Sequence, residues 1–245
     1  LGVTKAQADA LSLLVLAVLG GAFIALGALF FMVLSTGSTL GFGPTRALGG
    51  LGFSLGLILV VVAGAELFTG NNLLAMAWAS RRVATPQLLR HWLLAYLGNV
   101  LGAAGCAVLA WWAGLDALAQ GQLGETALRI AQAKAALSPT EALARGVLCN
   151  ALVCLAVWLA LAGRSVADKV LAIVFPVTAF VAIGAEHCIA NWFFLPYAWA
   201  LDAHGTLAPA ALAANLGWVT LGNLLGGTLL VAGIYWLAYL RKPAA

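Results

Sequence analysis

The sequence predicts an all-α integral membrane protein whose six transmembrane helices form two inverted repeats of three helices each. Of its 245 residues, 64% are hydrophobic and only 8% are charged, whereas about a quarter of the residues in a soluble domain are charged. Apolar runs longer than the roughly 18 to 20 residues needed to cross a bilayer recur along the chain. Two sequence motifs also occur twice. We therefore expect a single transmembrane domain over residues 1–245.

Six apolar segments separated by polar residues provide the expected helices. A longer polar stretch, residues 115–139, separates the third segment from the fourth and is expected to be a connection. The first repeat then covers about residues 1–114 and the second about residues 140–245. The expected helices lie near residues 10–35, 46–81, 87–114, 140–163, 167–200 and 212–240.

The second and fifth segments are each expected to be interrupted. Both run to about 35 residues, which exceeds one tilted crossing but is too short for two. The sequence GAELFTGNN begins at Gly64, and the related sequence GAEHCIANW begins at Gly184. A second pair, YLGNVLGA from Tyr96 and TLGNLLGG from Thr220, recurs at a similar spacing. Because each repeat has an odd number of spans, the two copies enter from opposite faces, and we expect their broken helices to meet near the midplane.

Broken helices at the midplane indicate what the protein binds. Irregular backbone is tolerated at membrane depth only where it is buried in protein or lines a wet cavity. A half-helix that begins there is expected to present free amides and the positive end of its dipole, which favour an anion over a cation. The expected cargo is therefore anionic, small, or both.

Ionisable residues in the two interruptions are candidates for function. For Glu66 and Glu186 we favour a structural role, in which the carboxylate accepts hydrogen bonds from orphan backbone amides and braces the break. His187 differs because its repeat-equivalent residue is Leu67, so the scaffold does not demand an imidazole. A pore imidazole can lend a proton or a positive charge to a weak-acid anion. A satisfied core histidine is the alternative.

Two asparagines are candidates to orient this imidazole. Asn191 lies four residues after His187 and corresponds to Asn71 or Asn72 of the first repeat. Residues four apart share a helix face, so Asn191 is expected to hydrogen-bond the ring. Asn150, in GVLCNALVC, is the second candidate. For both asparagines, a hydrogen bond between helices is the alternative.

The remaining polar residues carry simpler expectations. Thr69 offers a hydroxyl opposite His187, or else satisfies its own loop. His91 and His204 are expected at the membrane interface. The chain shows no cluster with metal-ligand spacing, so we expect no metal and no cofactor. The four cysteines are expected to be buried packing residues: Cys106, Cys149, Cys154 and Cys188.

The distribution of basic residues predicts that both termini are cytoplasmic. Eight basic residues fall on the side of the N-terminus and three on the other side, while Arg145 lies just within the fourth segment on the outer side. These residues are scattered at span ends, so nucleic-acid binding is not expected. The eight are Lys5, Arg81, Arg82, Arg90, Arg164, Lys169, Arg241 and Lys242, and the three are Arg46, Arg129 and Lys134.

These motifs resemble those of the formate/nitrite transporter family over essentially the full length. The resemblance rests on GFSLGLILVVVAGAELFTGNN, GVLCNALVCLAVW, GRSVADKV, AEHCIANWFFLP and WVTLGNLLGG. It implies an aquaporin-like homopentamer in the bacterial inner membrane, with one pore per subunit for formate, nitrite, hydrosulfide or a similar small monovalent anion. ELFTG, LCNALVCLA and NLGWVTLGN are closer to the nitrite members, towards which we lean, whereas FSLGLIL and GRSVADK are closer to the formate members.

The resemblance also implies which residues form the pore. The family's pore histidine falls on His187 and its loop threonine on Thr69. Its supporting residues, including a basic residue at the cytoplasmic vestibule, fall on Glu186, Asn191, Asn150 and Lys5. Its cytoplasmic constriction falls on Leu57 and Phe180, and its outer constriction on Phe53, Leu67 and Val153, with Phe68 adjacent in the loop.

We hypothesise that an anion reaches Thr69 and His187 between two apolar constrictions and passes either protonated or paired with the imidazolium. Transport is then faster at low pH on the loading side. A water or neutral-solute channel is the main alternative, although the chain lacks the paired Asn-Pro-Ala motif of aquaporins. A membrane enzyme would need a nucleophile and base or a metal set, and we do not expect an enzyme.

Overall fold

The computed structural model describes residues 2–241, and all regular secondary structure within this range is helical. Two 3₁₀ turns, Gly70–Leu74 and Leu115–Ala117, lie between helices, and π-helical turns at Gly226–Gly233 and Trp236–Leu240 continue the last one. Lys242, one of the basic residues used for the predicted orientation, lies outside the described range. The ten helices of residues 2–241 are α1 (Gly2–Ala6), α2 (Ala10–Ser35), α3 (Phe42–Ala63), α4 (Ala75–Ala79), α5 (Thr85–Trp112), α6 (Gln122–Ala135), α7 (Pro139–Ala162), α8 (Val166–Ala182), α9 (Cys188–Leu201) and α10 (Pro209–Leu225).

Several of these helices are long and apolar enough to cross a membrane. Within the described residues there are five: α2, α3, α5, α7, and α10 with its continuation to Leu240. The shorter α9 is also apolar. The chain is therefore an all-helical, multi-pass membrane protein.

Side-chain caps fix where three of the long helices begin. Asp9 accepts a hydrogen bond from the backbone N–H of Ser12 at the start of α2. Ser138 accepts from the N–H of Glu141 at the start of α7, and Ser165 accepts from that of Asp168 at the start of α8. Such caps satisfy amides that have no partner inside the helix. The two serines each form a capping box with the acidic residue three positions later.

The predicted second and fifth segments each contain residues outside helical conformation. The helix α3 ends at Ala63, and Gly64 adopts the left-handed conformation with φ 86°. In the fifth segment α8 ends at Ala182, and Gly184 has φ 75°. Glycine adopts a positive φ without the steric cost that a side chain would add. Helical structure resumes only at Gly70 in one segment and at Cys188 in the other.

The contacts between helices follow the same pattern in both halves of the chain. In the first half α2 packs against α3 and α5, and in the second half α7 packs against α8 and α10. The two halves meet where α3 packs against α8. Glycines allow close backbone approach at these crossings: Gly102 of α5 faces the carbonyl of Val18, and Gly226 faces that of Val147.

We expect Gly102→Val to destabilise the protein by about 1–3 kcal/mol or more, because a Cβ at this position would collide with the backbone of α2 at Val18 and Ala22. Gly105→Val is the matched control on the same helix, since a Cβ there has no neighbouring atom within 4 Å. Thermal unfolding of the two purified variants in detergent measures the difference. Equal loss of stability would mean that β-branching in the helix, and not the crossing with α2, causes the effect.

The polar stretch 115–139 connects α5 and α7 as expected, but most of it is helical. It contains α6, whose buried residues Leu123, Ala127 and Ala131 are spaced four apart and form one apolar face. An amphipathic helix of this kind has no long apolar run, so a search for membrane spans does not detect it. The contacts of α6 with α9 bring its last turn towards the second half of the protein.

Candidate functional site

Two cavities lie one after the other along α3. The larger, of about 960 Å³, is lined by Leu57 and Val60 of α3 and by Glu66. The smaller, of about 180 Å³, is lined by Phe53 earlier in α3 and by Glu186. We call them the Glu66 cavity and the Glu186 cavity. The two cavities share no lining residue.

Both cavities are positively charged. The Glu66 cavity has one carboxylate against four basic side chains, Lys5, Arg81, Arg82 and Lys169. The Glu186 cavity has one carboxylate against three, Arg46, Lys134 and Arg145. A cleft lined by an excess of one charge concentrates ions of the opposite charge. Each cavity therefore favours anions over cations.

Thr69 and His187 meet in the protein interior. The Thr69 hydroxyl lies 3.1 Å from Nε2 of His187, and both residues are buried. Thr69 comes from the irregular stretch after α3, whereas His187 comes from the one after α8. The two interruptions seen in the sequence thus bring together two side chains that are 118 residues apart.

The hydrogen bonds of His187 fix its tautomer. His187 is the N-cap of α9, and its Nδ1 accepts a hydrogen bond from the backbone N–H of Ala190 at 3.2 Å. A nitrogen that accepts a hydrogen bond carries no proton, so the ring proton lies on Nε2. The ring is therefore neutral, and Nε2–H donates to the hydroxyl of Thr69.

Aromatic side chains cover His187 on the side of the Glu186 cavity. Phe180 stacks on the imidazole with ring centroids 6.1 Å apart, and Phe53 meets Phe180 edge to face at 5.5 Å. Leu57 and Leu67 instead line the Glu66 cavity. The expected grouping of Leu57 with Phe180, and of Phe53 with Leu67, is therefore wrong. Leu67 follows the bend at Gly64, whereas Phe180 lies on α8 in contact with Phe53.

Two of the expected constriction residues line neither cavity. Phe68 is buried with its ring 5.1 Å from that of Tyr96, in an edge-to-face arrangement. Val153 is buried on α7 within the main hydrophobic core. Neither residue is among those lining the two cavities.

Glu66 is held by side chains and not by the orphan amides that were expected. Its Oε2 accepts hydrogen bonds from Nζ of Lys5 at 3.0 Å and from Nδ2 of Asn71 at 2.7 Å. Asn71 also contacts Nε2 of His91 at 3.0 Å. His91 was expected at the membrane interface, and this is wrong, because its side chain is fully buried. The short helix α1 brings Lys5 to this cluster.

Glu186 has a closely similar set of partners. Both of its carboxylate oxygens accept from Nζ of Lys134 at 2.8 Å, and Oε2 also accepts from Nδ2 of Asn191 at 2.7 Å. Asn191 donates in addition to Oδ1 of Asn215. The expected hydrogen bond from Asn191 to His187 is wrong. An N-cap residue has non-helical backbone angles, so the rule for residues four apart does not apply to its side chain.

Asn99 and Asn223 hold the irregular backbone after α3 and α8. Asn99 donates to the carbonyl of Glu66 at 2.8 Å and accepts from the N–H of Phe68. Asn223 donates to the carbonyl of Glu186 at 2.8 Å and accepts from the N–H of Cys188. Together with the cap formed by His187, these bonds occupy amides that were expected to be free.

Asn150 does not contact the imidazole that it was expected to orient. Its Nδ2 donates to the carbonyl of Thr69 at 3.3 Å, to Oδ1 of Asn72 at 2.9 Å and to the carbonyl of Asn223. Asn150 therefore helps to hold in place the loop that carries Thr69. The alternative interpretation, in which Asn150 forms hydrogen bonds between helices, describes this geometry better.

Sequence reasoning missed several residues of this site. Asn99 and Asn223 stand at the same place in the repeated YLGN and TLGN motifs, so the repeat itself was a usable signal. In the sequence Lys134 indicates only membrane orientation, and no spacing relates it to Glu186. His91 corresponds to Asn215 by the 124-residue offset of the same motifs.

The chain is similar in sequence to a known protein family and to several of its members. The model of the formate/nitrite transporter family matches residues 1–237. The formate channel FocA of Escherichia coli (strain K12) is 40% identical, with 98% of this chain and 91% of that protein covered. The probable formate transporter of Methanothermobacter thermautotrophicus is 38% identical, with 97% and 92% covered.

Two solved structures have the same fold. One, described as a pentameric formate channel with formate bound, has a TM-score of 0.87 and 39% sequence identity, and covers 95% of this chain and 98% of its own. The other, described as an ion channel of the FNT family, also has a TM-score of 0.87, with 31% identity and 97% and 95% covered.

Proposed function

Because the chain belongs to the formate/nitrite transporter family, we propose that it is a channel that carries formate across the membrane as its main anion. The two relatives described above are both named for formate, and this outweighs the nitrite-like motifs noted in the sequence. The protein is a membrane channel and not an enzyme. By likeness to the pentameric relative it is a homopentamer.

The proposed arrangement in the membrane follows the repeated contacts. α3 with α4, and α8 with α9, act as two broken membrane-crossing helices within six spans, and the two halves are inverted repeats. The similar sets of hydrogen bonds around Glu66 and Glu186 support the proposal that the two halves are repeats of each other. We place both termini and the Glu66 cavity on the cytoplasmic side of a bacterial inner membrane, because Arg81, Arg82 and Lys169 line that cavity.

The observation that carries the proposed function is the position of Thr69 and His187. Two positively charged cavities approach this buried pair from different ends of α3. Apolar side chains separate the two cavities. A dehydrated anion would cross those apolar residues only at a high electrostatic cost. The cost falls if the anion travels as its neutral acid.

Between the two alternatives for neutralising the charge, the geometry favours protonation of the anion. The neutral ring of His187 has one N–H, on Nε2, and already donates it to Thr69. Giving up that proton would leave an imidazolate, and gaining one on Nδ1 would break the cap at Ala190. We therefore propose that His187 orients the Thr69 hydroxyl to donate to the passing anion, while the proton enters with the anion from the cavity.

We expect proteoliposomes containing the protein to take up labelled formate faster at pH 6 than at pH 7.5 on the loading side, because the fraction of neutral acid rises as pH falls. Labelled nitrite measured in parallel gives the preference between the two anions. Protein-free liposomes correct for diffusion of the neutral acid through the lipid. Uptake equal to that of the protein-free liposomes would contradict the proposal, and faster uptake of nitrite than of formate would reverse the substrate assignment.

The water or neutral-solute channel is tested by the same preparation. Stopped-flow swelling with water and with glycerol should match that of protein-free liposomes. Fast glycerol entry without formate uptake would instead favour that alternative.

A further inference from the structure

The two carboxylate clusters differ at one position that the transport mechanism does not use. In the cluster of the Glu186 cavity, Asn191 donates a hydrogen bond to the side-chain oxygen of Asn215 at 2.8 Å. In the cluster of the Glu66 cavity, Asn71 makes the equivalent contact with His91 at 3.0 Å. An amide that does not titrate in one half is thus replaced by an imidazole in the other.

The partners of Asn71 determine which way its amide points. Lys5 can only donate a hydrogen bond and contacts Oδ1 of Asn71 at 3.2 Å. Glu66 can only accept one when ionised and contacts Nδ2 at 2.7 Å. A rotated amide would place oxygen against carboxylate and nitrogen against ammonium. Nδ2 therefore also faces His91.

This orientation fixes the state of His91. Because Nδ2 of Asn71 is a donor, Nε2 of His91 must accept, as Oδ1 of Asn215 does in the other half. The ring is then neutral and carries its proton on Nδ1, a buried atom without a hydrogen-bond partner among the described residues.

We propose that His91 is a positioning residue that keeps Asn71 and Lys5 on Glu66 while its ring is neutral, and that its protonation frees Lys5 at the mouth of the Glu66 cavity. With a proton on Nε2, His91 and Asn71 would present hydrogens to each other. The nearest acceptor for this new donor is Oε2 of Glu66, which lies 3.7 Å away. The carboxylate would then share its negative charge between His91 and Lys5, and its hold on Lys5 would weaken.

Other charged groups lie near this cluster, and they do not prevent Lys5 from leaving Glu66. Lys5 reaches it from α1, and Glu66 reaches it from the stretch after α3. Arg90, beside His91 on α5, donates to the backbone carbonyl of Ala8 in an exposed contact. Three further basic residues line the cavity: Arg81, Arg82 and Lys169. A free Lys5 would add to this positive charge and capture anions at lower concentration.

The tautomer is tested without any transport measurement. The protein has three histidines, so ¹⁵N NMR of protein labelled only at histidine gives few ring signals, and the spectrum of His91→Asn identifies those of His91. At pH 8 we expect His91 to be protonated on Nδ1 and not on Nε2, with a second proton gained on acidification. A proton on Nε2 at pH 8, or a ring that stays neutral down to pH 5, would overturn the proposal.

The consequence for transport rests on the proposed formate channel and is tested separately. Lowering the pH on the side of the Glu66 cavity should lower the half-saturating formate concentration of the wild-type protein at least about twofold. His91→Asn, which restores the acceptor found at Asn215, should remove this change but keep the effect of pH on the maximal rate. His91→Leu, which supplies no acceptor, should be less stable than His91→Asn. Retention of the wild-type pH response by His91→Asn would contradict the role of His91 without contradicting formate transport.

Discussion

The His187→Asn variant is expected to fold and to take up formate about tenfold or more slowly than the wild-type protein. Asparagine is a good N-cap, so its side chain can accept from the N–H of Ala190 and preserve the start of α9. It does not place an N–H at the position of Nε2, so Thr69 loses the partner that orients its hydroxyl. Leaving a buried hydroxyl without one of its hydrogen-bond partners costs about 1–3 kcal/mol, which corresponds to a change of the order of tenfold or more.

Two companion variants separate the roles of His187. His187→Ala removes both the cap and the hydrogen bond to Thr69, so it should lose transport and also about 0.5–2 kcal/mol of stability. Thr69→Ser keeps the hydroxyl, so it should transport faster than Thr69→Val. Formate uptake by proteoliposomes and thermal unfolding in detergent give the two readouts.

The pH dependence of His187→Asn decides between the two ways of neutralising the anion. If the proton enters with the anion, uptake by this variant remains faster at low pH, although slower at every pH. If the imidazolium carries the positive charge, the variant loses the acceleration at low pH. The second result would contradict the neutral ring that the bond from Ala190 to Nδ1 requires.

The long apolar helices were predictable because hydrophobicity alone sets them. The first predicted span, residues 10–35, has the same bounds as α2, and the fourth, residues 140–163, differs from α7 by one residue at each end. The motifs that begin at Gly64 and Gly184 were predicted to interrupt the second and fifth segments, and α3 ends at Ala63 and α8 at Ala182. Each of these features depends on local sequence, either on a run of apolar residues or on a glycine that takes a positive φ.

The site was less predictable because its contacts join distant parts of the chain. Thr69 and His187 were candidates both from their place in the two interruptions and from the family resemblance, but the N-cap role of His187 required the backbone angles at that residue. His91 looked interfacial because it lies near the predicted start of a span. It is buried because the stretch that carries Asn71 folds back against α5. Lys134 lies in a helix that a search for apolar runs does not detect.

The second large effect concerns this lysine: Lys134→Met is expected to destabilise the protein by about 3–5 kcal/mol. Glu186 and Lys134 form a largely buried ion pair, with side chains 6% and 12% exposed. Removing one member leaves the other charge buried without compensation, which is among the most damaging single changes in a protein. Methionine keeps most of the side-chain length, so lost packing contributes little to the result.

A double-mutant cycle isolates the ion pair from other effects of the substitution. Lys134→Met combined with Glu186→Gln should recover most of the lost stability, because no unpaired charge remains and an amide oxygen can still accept from Asn191. Lys5→Met is the matched comparison in the other half and should cost less, since the Lys5 side chain is 31% exposed and water can solvate Glu66 in its absence. Thermal unfolding of the four proteins of the cycle and of Lys5→Met gives the comparison. If the double variant is no more stable than Lys134→Met, or if Lys5→Met costs as much, then burial of the Glu186 pair is not what makes Lys134 important.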